Sequence, residues 1–393
     1  MAPRPKSSNV FGILALSVLA LAAGVILMTN VDSNVRAASG GDGGDEKSAR
    51  GWRLGEAVTY ENLTVFPVYA SQQTDTSAFA TLDEALASGD AIVTEQGSYM
   101  RRTRDDGGSA SYGSAQVNQL VLINRGKRPL LLLAGEVVSG GKQARIIGKD
   151  RIVPIGAEPL PLSVFCVEHG RWTGGSDKFQ ASGTIVHPSV REKAAVDQSQ
   201  AQVWAAVRGA APMNSARSSA AGGRTTGAPA AAPALSQSEV NSVIASSAPT
   251  MSYKQIYESP RVGRSVEELA GQLQKRFERS TKDHDVVGVV VAFGGEVAWS
   301  DIFASSALFE TYWPKLLRSY AVEALSRPAT RETASLDDAR DFLRPASGHV
   351  REETEPGVYR WRERTEGPAA EIEIEALEPK LVTLHWLKVL RAS

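Results

Sequence analysis

Three patterns of apolar and polar positions run along the chain, and each predicts a different kind of element. The first is an uninterrupted apolar run over residues 10–28, VFGILALSVLALAAGVILM, with Arg4 and Lys6 in front of it. As a helix rising ~1.5 Å per residue it comes close to the ~30 Å bilayer core. Two readings fit: an uncleaved membrane anchor, or a signal peptide ending at Val35-Arg36-Ala37. Under either, the positive flank stays cytoplasmic and the rest of the chain is exported.

The second pattern is short runs that are wholly apolar or alternate with period two, which predict strands. They fall at residues 63–70, 117–124, 129–138, 151–154, 161–167, 286–293 and 296–299, and again at 371–375 and 381–390. Residues 117–124 and 129–138 are expected to pair across Arg125-Gly126-Lys127-Arg128. Residues 286–293 and 296–299 form a hairpin signal around Gly294-Gly295. Glu371-Ile372-Glu373-Ile374-Glu375 alternates as a half-exposed strand does, with 381–390 as its partner.

The third pattern is helical. Thr81-Leu82-Asp83-Glu84, Ser189-Val190-Arg191-Glu192 and Ser265-Val266-Glu267-Glu268 read as capping boxes. The second of these helices is expected to run to about Val207. Leu308, Phe309, Tyr312, Trp313, Leu316, Leu317, Tyr320 and Leu325 make one broad apolar stripe, which Pro314 is expected to kink or split. Strands cluster instead of alternating with helices. The expected fold is therefore α+β, an antiparallel β core with several packed helices behind the amino-terminal segment.

Biased stretches divide the chain. Residues 1–37 are the anchor or signal, residues 38–50 a Gly- and Asp-rich spacer, and residues 51–393 the folded part. Residues 209–250 carry almost no large apolar side chains and read as a low-complexity insertion within that domain. Of the 393 residues, 42% are hydrophobic and 22% charged, which excludes global disorder; a net charge of −1 argues against a nucleic-acid surface. One cysteine, Cys166, excludes an intrachain disulfide and any multi-cysteine metal site. Outside the cytoplasm it reads as a small buried hydrophobe.

Candidate chemistry concentrates in residues 135–172. Glu136 follows an apolar run, and Gly140, Gly141, Lys142, Gln143 and Arg145 come next. Paired glycines let backbone approach a ligand, and the cations beside them suit phosphate or carboxylate. A second cluster, Glu168-His169-Gly170-Arg171-Trp172, follows the next apolar strand. Glu136 and Glu168 are the candidate acid and base, with Gly140, Gly141, Lys142, Gln143, Arg145 and Arg171 as candidate ligand contacts. The competing reading makes both clusters ion pairs that fix register. No metal site or cofactor is expected. Asp301 and Glu296 read as exposed charges flanking the hairpin, and His385 as a packing residue in its strand.

The block GEVVSGGKQARI followed by IVPIGAEPLPLSVFCVEHGRW resembles the signature of the ARG and rhodanese–phosphatase-superfamily-associated protein domain family. The later block VVGVVVAFGGEVAWSDIFASSALFETYWPKLLRSYAVEAL resembles the same family's second block. The resemblance implies a role near ADP-ribose or other phosphorylated small molecules, and carries no catalytic assignment with it. The expected partners are such a molecule and, through residues 10–28, the membrane. The alternative is a non-catalytic envelope module.

Overall fold

A computed structural model describes residues 50–95, 119–141, 143–157, 159–167, 178–207, 242, 253, 255–282, 284–328, 330 and 332–391. The amino-terminal run and nearly all of the low-complexity insertion lie outside these residues. Among the described residues no helix is long and apolar enough to cross a membrane.

The described chain is a mixed α+β fold with three β assemblies. A nine-stranded antiparallel sheet holds β1 (Trp52–Leu54), β2 (Val58–Tyr60), β3 (Leu63–Ala70), β13 (Val286–Phe293), β14 (Glu296–Phe303), β15 (His349–Glu355), β16 (Tyr359–Glu366), β17 (Ala369–Ala376) and β18 (Val382–Leu390). Its order is β1-β3-β13-β14-β18-β17-β16-β15, with β2 beside β3. A closed barrel holds β5 (Ala91–Glu95), β6 (Gln119–Asn124), β8 (Glu136–Gly140), β9 (Arg145–Ile147), β11 (Leu160–Cys166) and β12 (Lys178–Ile185). A small third sheet joins β4 (Ala80–Thr81), β7 (Leu130–Leu132) and β10 (Arg151–Val153), with β4 and β7 parallel. Seven helices pack around them: α1 (Leu82–Ser88), α2 (Pro188–Ala195), α3 (Gln200–Val207), α4 (Gln255–Glu258), α5 (Val262–Ser280), α6 (Ser306–Ser326) and α7 (Leu336–Phe342).

The hairpin of β13 and β14 and the pairing of β17 with β18 form where the pattern places them. The capping box at Thr81 also forms: the threonine hydroxyl accepts from the Glu84 amide, and the Glu84 carboxylate accepts from the Thr81 amide. The other two expected boxes do not. His187 precedes α2, and Ser189 donates to Glu323 instead. Ser265 lies inside α5, which begins at Val262. The helix expected to run unbroken to Val207 is divided into α2 and α3. Pro314 sits within α6, which runs as one helix from Ser306 to Ser326 and is not split there.

The expected pairing of residues 117–124 with 129–138 is overturned. The apolar run 129–138 breaks at Gly135, which has φ +90°; a Cβ there would stand 2.8 Å from Cγ of Arg191. The run therefore supplies β7 to the small sheet and β8 to the barrel, while β6 pairs with β5 and β11. The glutamates of β17 are likewise not half-exposed. Glu371, Glu373 and Glu375 are buried because Arg360, Arg362, Arg364 and Arg50 lie across them as ion pairs.

One apolar cluster unites the inner face of the large sheet, the outer wall of the barrel, α5 and α6; it contains Val137, Ile146, Trp299, Tyr320 and Leu387. A second cluster fills the barrel and continues into α1 and the small sheet.

Candidate functional site

Glu136 opens β8 at the edge of the barrel and is buried. Its Oε2 accepts from the Leu133 amide at 2.7 Å. Its Oε1 meets Nζ of Lys315, on α6, at 2.6 Å. Lys315 also reaches Asp83 on α1 at 2.8 Å, so one buried ammonium bridges two carboxylates from two elements. Burial pushes the Glu136 carboxyl above its ordinary range, against the pull of Lys315. The arrangement fastens barrel, α1 and α6 together.

The other end of β8 holds the expected ligand contacts. Gly140 has φ +147°, and a Cβ on it would lie 2.4 Å from the Lys178 carbonyl oxygen. A Cβ on Gly141 would lie 2.6 Å from the Phe179 ring. The close approach that these glycines allow is therefore to β12, not to a ligand. Gln143 and Arg145 are buried, and Arg145 Nη1 donates to Gln143 Oε1 at 3.0 Å. Arg145 stands opposite Val138 and Cys166, so it shares their pleat face. Glu136 and Gly140 are the two ends of a five-residue strand, roughly 13 Å apart at ~3.3 Å per residue. Lys142, Glu168 and Arg171 lie outside the described residues. Cys166 is buried, as its apolar neighbours suggest.

A fully buried constellation of titratable groups lies elsewhere. Trp299, Asp301 and Phe303 share one face of β14, and His385 of β18 pairs with Phe303 on that face. His385 Nδ1 lies 2.6 Å from Asp150 Oδ2, and its Nε2 lies 2.9 Å from Asp301 Oδ1. Arg191 Nη1 donates to both oxygens of Asp301, at 2.7 and 2.9 Å. Trp299 Nε1 donates to Asp301 Oδ2 at 2.7 Å, and the Tyr320 hydroxyl donates to the same oxygen. Arg191 Nε donates to the Ala134 carbonyl at 2.8 Å, and the Ala134 amide donates to Asp150 at 2.7 Å. Every ionisable member is at most 1% exposed.

Electrostatics balance this network. Burial would raise the Asp301 carboxyl, but Arg191, His385 and Tyr320 hold it well below the carboxylate range. Burial would lower the His385 imidazole, yet Asp150 and Asp301 outweigh it and raise it above 6.5. Two carboxylates thus meet one guanidinium and one imidazolium. The expectation that Asp301 is an exposed charge is overturned. His385 packs in its strand, as read, but through hydrogen bonds as well as contact. A period-two signal was present in Trp299-x-Asp301-x-Phe303; the partners from Asp150 and Arg191 leave none, because they arrive from separate elements. A solvent-borne substrate cannot reach groups this buried. Their work is to join the barrel, the large sheet, α2 and α6. Among the described residues no cluster of three or more His, Cys, Asp or Glu could hold a metal ion.

No curated protein and no solved structure matches the chain. A family model does match, over residues 51–387, which is most of the chain and all three β assemblies. The chain belongs to the ARG and Rhodanese-Phosphatase-superfamily-associated Protein domain family.

Proposed function

We propose that the chain is an exported binding module, held at the membrane through residues 10–28, that recognises an ADP-ribose-like or other phosphorylated small molecule without transforming it. The observation that carries the non-catalytic half of this reading is the state of Glu136. Glu136 is buried, and its oxygens accept inside the fold from Lys315 and from the Leu133 amide, which ties the carboxylate to the fold and not to solvent. The phosphate half rests on the family's association and on the cations of the chain. The test is calorimetric titration of the full chain in detergent with ADP-ribose, followed by chromatography of the ligand after long incubation. Saturable binding with intact ligand is the expected result. Turnover that is lost in Glu136→Gln would refute the reading.

A second reading, an envelope module that binds a protein, draws on β15. Among the described residues this edge strand is almost wholly exposed and pairs with β16 alone. Of the carboxylates of β15, Glu352 pairs with Arg362 and Glu353 with Lys149, so the partner would be read mainly through the strand's backbone. Proline substitution of Thr354 would abolish such capture and leave ADP-ribose binding unchanged.

A further inference from the structure

We infer that the loop Arg125-Gly126-Lys127-Arg128, with the two clefts that adjoin it, is a binding site for a sugar phosphate. The inference rests on the binding-module reading above and gives that module a site that the sequence pattern had assigned only to a turn.

The loop is held rigidly from inside while its cations face out. Asn124, at 1% exposure, is the pin. Its amide nitrogen donates to the Arg128 carbonyl at 2.9 Å and to the Pro154 carbonyl at 3.2 Å. Its amide oxygen accepts from the Gly126 amide at 3.0 Å. The Arg125 amide donates to the Asp90 carbonyl at 2.7 Å, and Arg128 Nη1 to the Phe79 carbonyl at 3.0 Å. The backbone of this connection is therefore ordered before any ligand arrives, which lowers the entropic cost of binding. Arg125, Lys127 and Arg128 are exposed, and among the described residues none has a carboxylate partner. They place three cations within four residues of one pinned loop.

Arg128 lines both adjoining clefts. The larger, of about 350 Å³, lies between the amino-terminal ends of α1 and α6 and is lined by hydroxyls such as Thr76, Ser77 and Ser306. That volume is within the range of small-ligand sites. The smaller, of about 210 Å³, sets Arg125, Lys127 and Arg128 against one carboxylate, Asp90, whose Oδ2 accepts from the Ser88 hydroxyl. The chemistry of the two differs. Two carboxylates, Asp75 and Glu84, stand in the larger one. Asp75 Oδ1 accepts from the Ser77 amide at 2.8 Å, and Glu84 Oε2 serves the α1 cap. Each keeps a second oxygen that can accept from a ligand hydroxyl. A bare polyanion would meet these carboxylates at one end; a neutral sugar would leave the cations unused. A polyol carrying a phosphate matches both ends, with the phosphate on Arg125, Lys127 and Arg128 and the hydroxyls toward Asp75, Glu84 and the cleft's own hydroxyls.

Ribose 5-phosphate, ribose and inorganic phosphate, each titrated by calorimetry into the full chain in detergent, test this, with ADP-ribose run alongside. Ribose 5-phosphate is expected to bind at least tenfold tighter than either half. Arg125→Ala with Lys127→Ala, which removes no hydrogen bond from the fold, is expected to weaken it at least tenfold with melting unchanged; Arg128→Ala adds to the loss. Inorganic phosphate binding as tightly as ribose 5-phosphate would reduce the site to a simple anion site and overturn the assignment. Binding of ADP-ribose that ignores all three cations would overturn the site while leaving the binding-module reading intact. No binding of any of the four probes would overturn both.

Discussion

Asp301→Asn is the sharpest probe of how this fold is held together. The wild-type carboxylate accepts from Arg191, Trp299, Tyr320 and His385 with no access to water. An amide of the same shape keeps one acceptor oxygen and turns the other position into a donor. Placed at Oδ1, the new NH₂ faces Arg191 and His385; placed at Oδ2, it faces Trp299, Tyr320 and Arg191. Each buried donor left without an acceptor costs about 1–3 kcal/mol. Breaking a buried ion pair from one side costs about 3–5 kcal/mol. These losses overlap, because His385 can release its proton and Tyr320 can rotate its hydroxyl. The expected cost is therefore about 5 kcal/mol, a large part of the ~5–15 kcal/mol that stabilises an ordinary domain. Urea denaturation of the full chain, followed by tryptophan fluorescence, reads this directly, since Trp299 is one of the donors. The double variant Arg191→Met with Asp301→Asn removes the stranded guanidinium. It should recover about 1–3 kcal/mol relative to the sum of the single changes. A single-variant cost below about 1 kcal/mol, or strict additivity in the double, would refute the account of the network as the fastening between barrel and sheet.

Three further outcomes are expected. His385 has a folded pKa above 6.5, so its stabilising charge is fully present below that value and is lost as pH rises through the raised pKa; wild-type melting temperature should fall from pH 6 to 9, with a shallower fall in His385→Gln, and a wild-type rise over that window contradicts the charged imidazole. Glu136→Gln should cost about 1–3 kcal/mol by weakening the Lys315 bridge while ADP-ribose affinity holds; lost affinity with unchanged melting would return this carboxylate to a binding site. Gly140→Ala meets both a positive φ and the Lys178 carbonyl, and should lower stability by at least about 1 kcal/mol; a neutral result in a denaturation curve would free this glycine for the ligand role that its spacing first suggested.

Local rules account for what the sequence by itself determined. The β13–β14 hairpin follows from two apolar runs around a diglycine, the α1 start from the reciprocal reach of Thr81 and Glu84, and the α6 core from apolar residues at helical spacing. The family, too, is legible in residues 135–172 as a contiguous block. Each of these is encoded within a few residues, where backbone geometry and side-chain period act directly. Tertiary structure decided the rest. The run 129–138 reads as one strand, but Gly135 turns it because Arg191 needs the space that a side chain would fill. Glu371, Glu373 and Glu375 alternate as surface residues do, yet guanidinium groups from β16 and from Arg50 cover them. The Arg125–Arg128 loop reads as a hairpin turn, whereas it crosses between two β assemblies and displays its cations beside clefts whose walls include α1 and, in the larger, α6. Asp150, Arg191, Asp301 and His385 come from four separate places in the chain. Their charges are tolerable in the interior only once all four have met, and no local pattern records that condition, because the stabilisation exists between elements and in none of them.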